Sequence, residues 1–217
     1  MVRPLIPLAI VAGLAACSPQ TVSDSRHLGG DPQRGRLIAQ DKCAACHGSV
    51  GVDGSPGVPT LNEQFPEYLK KQLAAFAAPI DAPNHRVSAV MEPIAKGLSD
   101  QDRGDVAAWY AQIWRKQAKP RDPSRVAAGE QLFLHGKPDK DLPACAACHR
   151  PEATGIRPDF PNLASQDPAY LENELRNWER LRGHRGKLMS LIAPRVKPEM
   201  IPPIADYLAT KSSKAVE

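Results

Sequence analysis

The five-residue pattern Cys-x-x-Cys-His occurs twice, as Cys43-Ala44-Ala45-Cys46-His47 and as Cys145-Ala146-Ala147-Cys148-His149, 102 residues apart. Sliding the chain on itself by that step also sets Pro59 on Pro161, Leu61 on Leu163, Gln64 on Gln166, Pro66 on Pro168 and Tyr68-Leu69 on Tyr170-Leu171. Farther along the step falls to 98, with Met91 on Met189, Ile94-Ala95 on Ile192-Ala193 and Val106-Ala107 on Ile204-Ala205. An internal repeat of this length means two similar domains. Copy one spans 30–114 and copy two 122–212; between them 115–121, with Pro120 and a run of basic residues, reads as a linker, and 213–217 as a tail.

Both copies read as helical. Val, Ile and Thr are sparse and nothing alternates apolar with polar, so strands are not expected. Asp31-Pro32, Asp122-Pro123 and Asp167-Pro168 each place an N-cap carboxylate before a proline at the first helical position, where a missing N–H costs nothing. Ser99 with Asp102 is an Asp-ended relative of the capping box, and Val106, Tyr110 and Ile113 recur at helical spacing after it. Pro202 and Pro203 forbid interior helical hydrogen bonds, so the last helix of copy two should begin near them and be shorter.

The two thiols of each motif, three positions apart on a tight turn, can each add across one vinyl group of the same haem. The histidine that follows is then held beneath the iron. Structural zinc uses cysteine pairs some ~12 to 20 residues apart, whereas 98 residues separate Cys46 from Cys145. A thioredoxin-like redox pair wants a βαβ setting and needs no histidine. Covalent c-type haem at Cys43, Cys46, Cys145 and Cys148, with His47 and His149 on iron, is therefore the expectation, giving two haem c groups. It also accounts for a composition with only 5% aromatic residues, since haem would supply the missing core bulk.

Each iron has a sixth position to fill. Met91 and Met189 are in register across the repeat and are expected there, in loops before a helix; Met200 falls opposite Asp102 and reads as packing or surface. His85 and His184, a few residues before each methionine, are the rival ligands. Thioether ligation raises the reduction potential and closes the iron to substrate. The favoured function is thus electron transfer with no catalytic residues. A dihaem peroxidase or similar haem enzyme would need an open sixth position, and a structural lipoprotein would make the haems incidental.

The paired motifs, Leu142-Pro143-Ala144-Cys145, the run Phe160-Pro161-Asn162-Leu163-Ala164-Ser165-Gln166 followed by Tyr170-Leu171, and Met91 through Ser99-Asp100 resemble the periplasmic dihaem cytochrome c4 family. The resemblance implies an all-α fold of two tandem class I cytochrome c domains, each wrapped around one haem and facing the other across a pseudo-twofold interface. It implies single-electron delivery to a terminal oxidase; a cytochrome subunit of a dehydrogenase complex is the alternative. It also implies that the Pro59 and Pro161 carbonyls accept from the axial histidines. Arg150, where copy one has Gly48, and Lys197-Pro198 with Pro202-Pro203, where copy one has Ser99-Asp100, depart from the family pattern.

Residues 1–16 hold one basic residue, Arg3, and an apolar run too short to span a bilayer. They read as an export signal, and Leu14-Ala15-Ala16-Cys17 resembles the bacterial lipoprotein signal, with Cys17 lipidated. Ordinary cleavage near an Ala-x-Ala-like site, leaving a soluble periplasmic protein, is the other reading. Residues 17–29 would be a polar tether to a membrane. The net charge of +4 is too mild to argue for nucleic acid, and no small-molecule substrate is expected. It hides an asymmetry: 30–114 carries 8 basic and 10 acidic residues, 115–217 carries 18 and 13. Arg180, Arg182, Arg185 and Lys187, with His184 among them, read either as a basic collar that steers an acidic redox partner or as propionate neutralisers and a solvated face.

Overall fold

The computed structural model describes residues 30–48, 50, 54–182 and 188–212. The export signal, Cys17, the tether, His184, Arg185, Lys187 and the tail at 213–217 lie outside the described residues.

Asp31 caps helix α1 (Pro32–Lys42), its carboxylate accepting from the Gln33 and Arg34 amides. The first motif forms the single turn α2 (Ala44–His47), followed by α3 (Pro66–Ala77), α4 (Met91–Lys96) and α5 (Asp100–Gln112). At the start of α5 the Ser99 hydroxyl accepts from the Asp102 N–H and the Asp102 carboxylate accepts from the Ser99 N–H, so the Asp-ended capping box forms. In copy two Asp122 caps a 3₁₀ turn, Pro123–Arg125, that leads into α6 (Val126–His135). The second motif forms α7 (Ala146–His149), and Asp167 caps α8 (Pro168–Arg176). Helices α9 (Trp178–Arg182), α10 (Leu188–Ile192) and α11 (Ile201–Thr210) complete it. With Pro202 and Pro203 in its first turn, α11 has 10 residues against the 13 of α5, as their missing N–H groups require. Among the described residues sheet pairing is limited to the isolated bridges Lys137 to Leu142 and Ile156 to Phe160.

Each copy packs its first helix across its last, and a glycine makes the crossing possible. A Cβ on Gly35 would lie 2.0 Å from the Asp105 carbonyl oxygen, and one on Gly129 1.9 Å from that of Pro203. Asp105 and Pro203 are related by the shorter step of the repeat. A buried carboxylate then ties each last helix to the entry of the first, Asp105 accepting from the Asp31 N–H at 2.7 Å and Asp206 from the Arg121 N–H at 2.6 Å. The buried apolar cluster of copy two includes Phe133, Leu142, Leu171, Met200, Ile201, Ile204, Tyr207 and Leu208, which settles Met200 as packing. Among the described residues that of copy one comprises Ala39, Leu69, Val106, Ala107 and Tyr110, with Ile38, Leu61, Leu73, Trp109 and Ile113 partly buried against it, fewer large side chains than in copy two.

The copies meet through polar groups arranged about a pseudo-twofold axis. Gln64 accepts from the Asn162 N–H at 3.0 Å and donates to its carbonyl at 2.9 Å. Gln166 does the same to Thr60, at 2.7 and 2.9 Å. Gln64 matches Gln166, and Thr60 matches Asn162, under the repeat. Beside them Arg86 and Arg182 lie against Gln72 and Glu174, themselves repeat equivalents, each arginine reaching both. The Arg86 guanidinium also lies over Phe76 at 4.4 Å and that of Arg182 over Trp178 at 4.9 Å. Burial pushes the Glu174 carboxyl up, but the two arginines outweigh it and hold it below the usual carboxylate range. Arg182 is therefore part of the domain interface, 9% exposed, and not of a solvent-facing collar. Arg180 is exposed. Ion pairs of Glu67 with Arg157 and Lys71 with Asp159 close the rim.

Arg115, assigned to the linker from sequence, sits at the centre of this interface with 1% exposure. Its Nε donates to the Asn62 carbonyl at 2.6 Å and its Nη1 to that of Ala164 at 2.7 Å, two carbonyls equivalent under the repeat. One guanidinium thus bridges the copies on their shared axis. Burial pushes it down to about 10, with Glu63 opposing only in part. Replacing it by Met leaves both carbonyls without this donor and should cost roughly 2–4 kcal/mol of unfolding free energy, measured by denaturant melts. Arg115→Lys should recover less than half, because one ammonium cannot reproduce the planar fork that spans both carbonyls.

Candidate functional site

Both motifs fold as a one-turn helix that ends on its histidine, and both histidines are buried, His47 at 7% and His149 at 6% exposure. His47 Nδ1 lies 2.9 Å from the Pro59 carbonyl oxygen and His149 Nδ1 lies 3.1 Å from that of Pro161. With Nδ1–H donating to carbonyl, the Nε2 lone pair of each ring is free to bind a metal, and the ring orientation is fixed. Burial pushes both imidazoles down, the proline carbonyls opposing weakly, so both stay neutral and ligand-ready at neutral pH.

The four motif cysteines are free thiols with no disulfide between them. Burial pushes Cys43 up to about 11, the Tyr110 hydroxyl beside it working the other way, and it pushes Cys145 up to about 11 as well. Thiols used for disulfide exchange have lowered values. These two are raised, which disfavours the thioredoxin-like alternative.

Met91 opens helix α4 and Met189 lies in α10, so neither is in a loop before a helix. For Met91 the cause is a local cap: its N–H donates to the Ser88 hydroxyl, and the Ser88 N–H donates to the Glu92 carboxylate, which starts the helix early. Both methionines are half-buried. Between Lys42, which precedes Cys43, and α4 lies an open cleft of about 350 Å³ lined by Lys42, Pro93, Ile94 and Gly97. His85 is buried at 1% exposure with Nδ1 2.9 Å from the Ala78 carbonyl and Nε2 3.6 Å from Glu92, a placement that ties it to its own loop and to α4.

A haem fits what these residues offer: at each site two thiols three apart on one turn and a histidine with Nδ1 already spent on a carbonyl, and in copy one a methionine-bearing helix beside an open cleft. Sequence reasoning missed Gln64 and Gln166 as interface residues, although their alignment was visible. It also missed Arg115 and the glycines at the helix crossings, which no local signal marks.

One asymmetry between the sites can be tested. Gly48 leaves the first motif at φ 84°, ψ 154° and Arg150 leaves the second at φ 65°, ψ 157°, the same positive-φ extended conformation. A side chain there costs about 1–3 kcal/mol, part of which glycine's greater freedom in the unfolded chain offsets. Arg150→Gly should therefore stabilise the protein by up to about 1 kcal/mol, read as a higher melting temperature with unchanged haem content.

Residues 32–114 match the family model for cytochrome c. The chain is 35% identical over 184 residues to cytochrome c4 of Thiocapsa roseopersicina, covering 82% of this chain and 92% of that protein. It is 36% identical over 186 residues to a thiosulfate dehydrogenase electron acceptor of Thiomonas intermedia, covering 80% and 82%. The crystal structure of reduced recombinant cytochrome c4 from Pseudomonas stutzeri superimposes with a TM-score of 0.75 at 31% identity, over 84% of this chain and 99% of that one.

Proposed function

Since the chain belongs to the cytochrome c4 family, electron carriers with two haem c groups, we propose that it shuttles single electrons between respiratory-chain partners in the periplasm, towards a terminal oxidase. Domain 1 is taken as 30–114, the linker as 115–121 and domain 2 as 122–212. Cys43 with Cys46, and Cys145 with Cys148, would hold the haems through thioethers; His47 and Met91, and His149 and Met189, would be the axial ligands. Haem c supplies a reversible one-electron couple at each site, kept low-spin and closed when both axial positions are filled.

The observation that carries this reading is the pair of motif histidines, each oriented through Nδ1 by a proline carbonyl twelve residues on. The proteins' own contribution is to hold these ligands rigid, because small ligand movement between redox states keeps electron exchange fast. Pro59 and Pro161 orient the rings, Ser88 fixes the start of the helix that presents Met91, and the interface glutamines and arginines fix one domain against the other.

Replacing Cys145 and Cys148 by Ala should leave one haem per chain and destabilise the second domain; loss of all haem from the denatured unmutated protein on acid–acetone extraction would refute the covalent attachment. Met91→His should lower one potential, and the oxidised unmutated protein should show the near-infrared sulfur-to-iron band for both haems. A bis-His spectrum would transfer the ligand role to His85 and His184.

Similarity to a thiosulfate dehydrogenase electron acceptor favours a second reading of the donor side, in which a periplasmic dehydrogenase reduces this chain directly. Stopped-flow reduction by a purified thiosulfate dehydrogenase, set beside oxidation by an oxidase-containing membrane preparation, separates the two roles. Lipidation of Cys17 would hang the domains from a bacterial membrane on a tether with an extended reach of about 45 Å. Cys17→Ala should then block maturation or release the protein, and a soluble unmutated protein would refute the anchor.

A further inference from the structure

Pro59 C=O and Thr60 N–H belong to one peptide group, and that group is held from both sides. Its oxygen lies 2.9 Å from His47 Nδ1, and its N–H donates at 2.7 Å to Gln166 Oε1 of the other domain. The second copy repeats the arrangement in the opposite sense. The Pro161–Asn162 peptide presents its oxygen to His149 Nδ1 at 3.1 Å and its N–H to Gln64 Oε1 at 3.0 Å. Gln64 and Gln166 are 5% and 4% exposed, so water does not compete for either bond.

We propose that Gln166 tunes the reduction potential of the haem in domain 1, and Gln64 that of the haem in domain 2, each acting across the interface through the peptide that holds the axial histidine. The inference rests on His47 and His149 being iron ligands. A peptide that donates through its N–H is polarised and accepts more strongly at its oxygen. The stronger acceptor draws the Nδ1 proton, gives the ring more imidazolate character and makes Nε2 the more basic donor to iron. A more basic ligand favours the oxidised metal, so the crossed glutamine lowers the potential of the opposite haem. Docking of the domains is thereby written into both redox couples, and each haem registers whether its partner domain is in place. Gln64 and Gln166 are positioning residues here; neither touches the haem.

The test is redox titration of the holoprotein in a crossed set of variants. Met91→His and Met189→His mark which couple belongs to which domain. Gln166→Met, similar in length but without the amide acceptor, should raise the couple that Met91→His lowers and leave the other in place. Gln64→Met should do the converse. Loss of roughly 10–30% of a neutral hydrogen bond makes the expected effect a rise of up to about twofold in the reduced-to-oxidised ratio of that haem at fixed ambient potential. Gln166→Glu keeps length and acceptor, and the same couple should then stand at or below its unmutated value. That variant keeps the question answerable if Gln166→Met does not fold. A shift confined to the glutamine's own domain, an equal shift of both couples, no shift, or a rise in Gln166→Glu matching that in Gln166→Met would each overturn the inference. If neither Met91→His nor Met189→His moves a couple, the methionine assignment alone falls, and the couples are assigned instead with the Cys145→Ala, Cys148→Ala variant, which keeps only the haem of domain 1; if the couples are assigned and the glutamine variants do not cross, this inference alone falls.

Discussion

The hydrogen bond between each motif histidine and a proline carbonyl is the contact on which the remaining architecture depends. It joins the helical turn that carries the cysteines to the loop at 59–65 in one copy and 161–167 in the other. With the loop pinned at that point, its next residue presents an N–H and a carbonyl outwards, and the other domain's glutamine meets both. The same loops carry Asn62 and Ala164, whose carbonyls receive Arg115. The order runs from ligand to loop and from loop to interface: the loop that each histidine meets carries the groups on which the other domain docks.

The interface holds a dense set of polar contacts. Among the described residues Arg86 and Arg182 share one buried carboxylate, Glu174, and Arg115 adds a further cation hydrogen-bonded to carbonyls. Buried cations without full pairing are costly. Here the cost is reduced by carbonyl dipoles, by Gln72 and by the faces of Phe76 and Trp178. In return the contact is directional. Two apolar faces could slide past each other, whereas a set of bonds this specific has one register.

Much of this was legible in the sequence, and what was legible is local. The motifs, the three Asp-Pro caps and the short last helix of copy two rest on residues close in sequence, and the repeat is legible because such local patterns recur in order. Their structural consequences follow from backbone chemistry alone. What escaped depends on which surfaces meet. Arg115 looks like the first basic residue of a linker, and Arg182 like one of a surface cluster. Only the docking of two domains turns them inward. Gln64 and Gln166 were visible as a matched pair, but a repeat says that two residues are equivalent and not that each serves the other copy. Met91 was displaced from loop to helix by Ser88 and Glu92, a cap too short in sequence to stand out.

The glutamines grip main chain, and main chain is the same whatever side chain it bears. Thr60 and Asn162 occupy equivalent positions, have different side chains and are held in the same way. A domain pair joined by such contacts can arise from duplication of one gene segment and then drift, each half adapting its outer surface to a separate partner, without the joint having to be reinvented. The divergence between an acidic first half and a basic second half is the kind of drift that this joint permits.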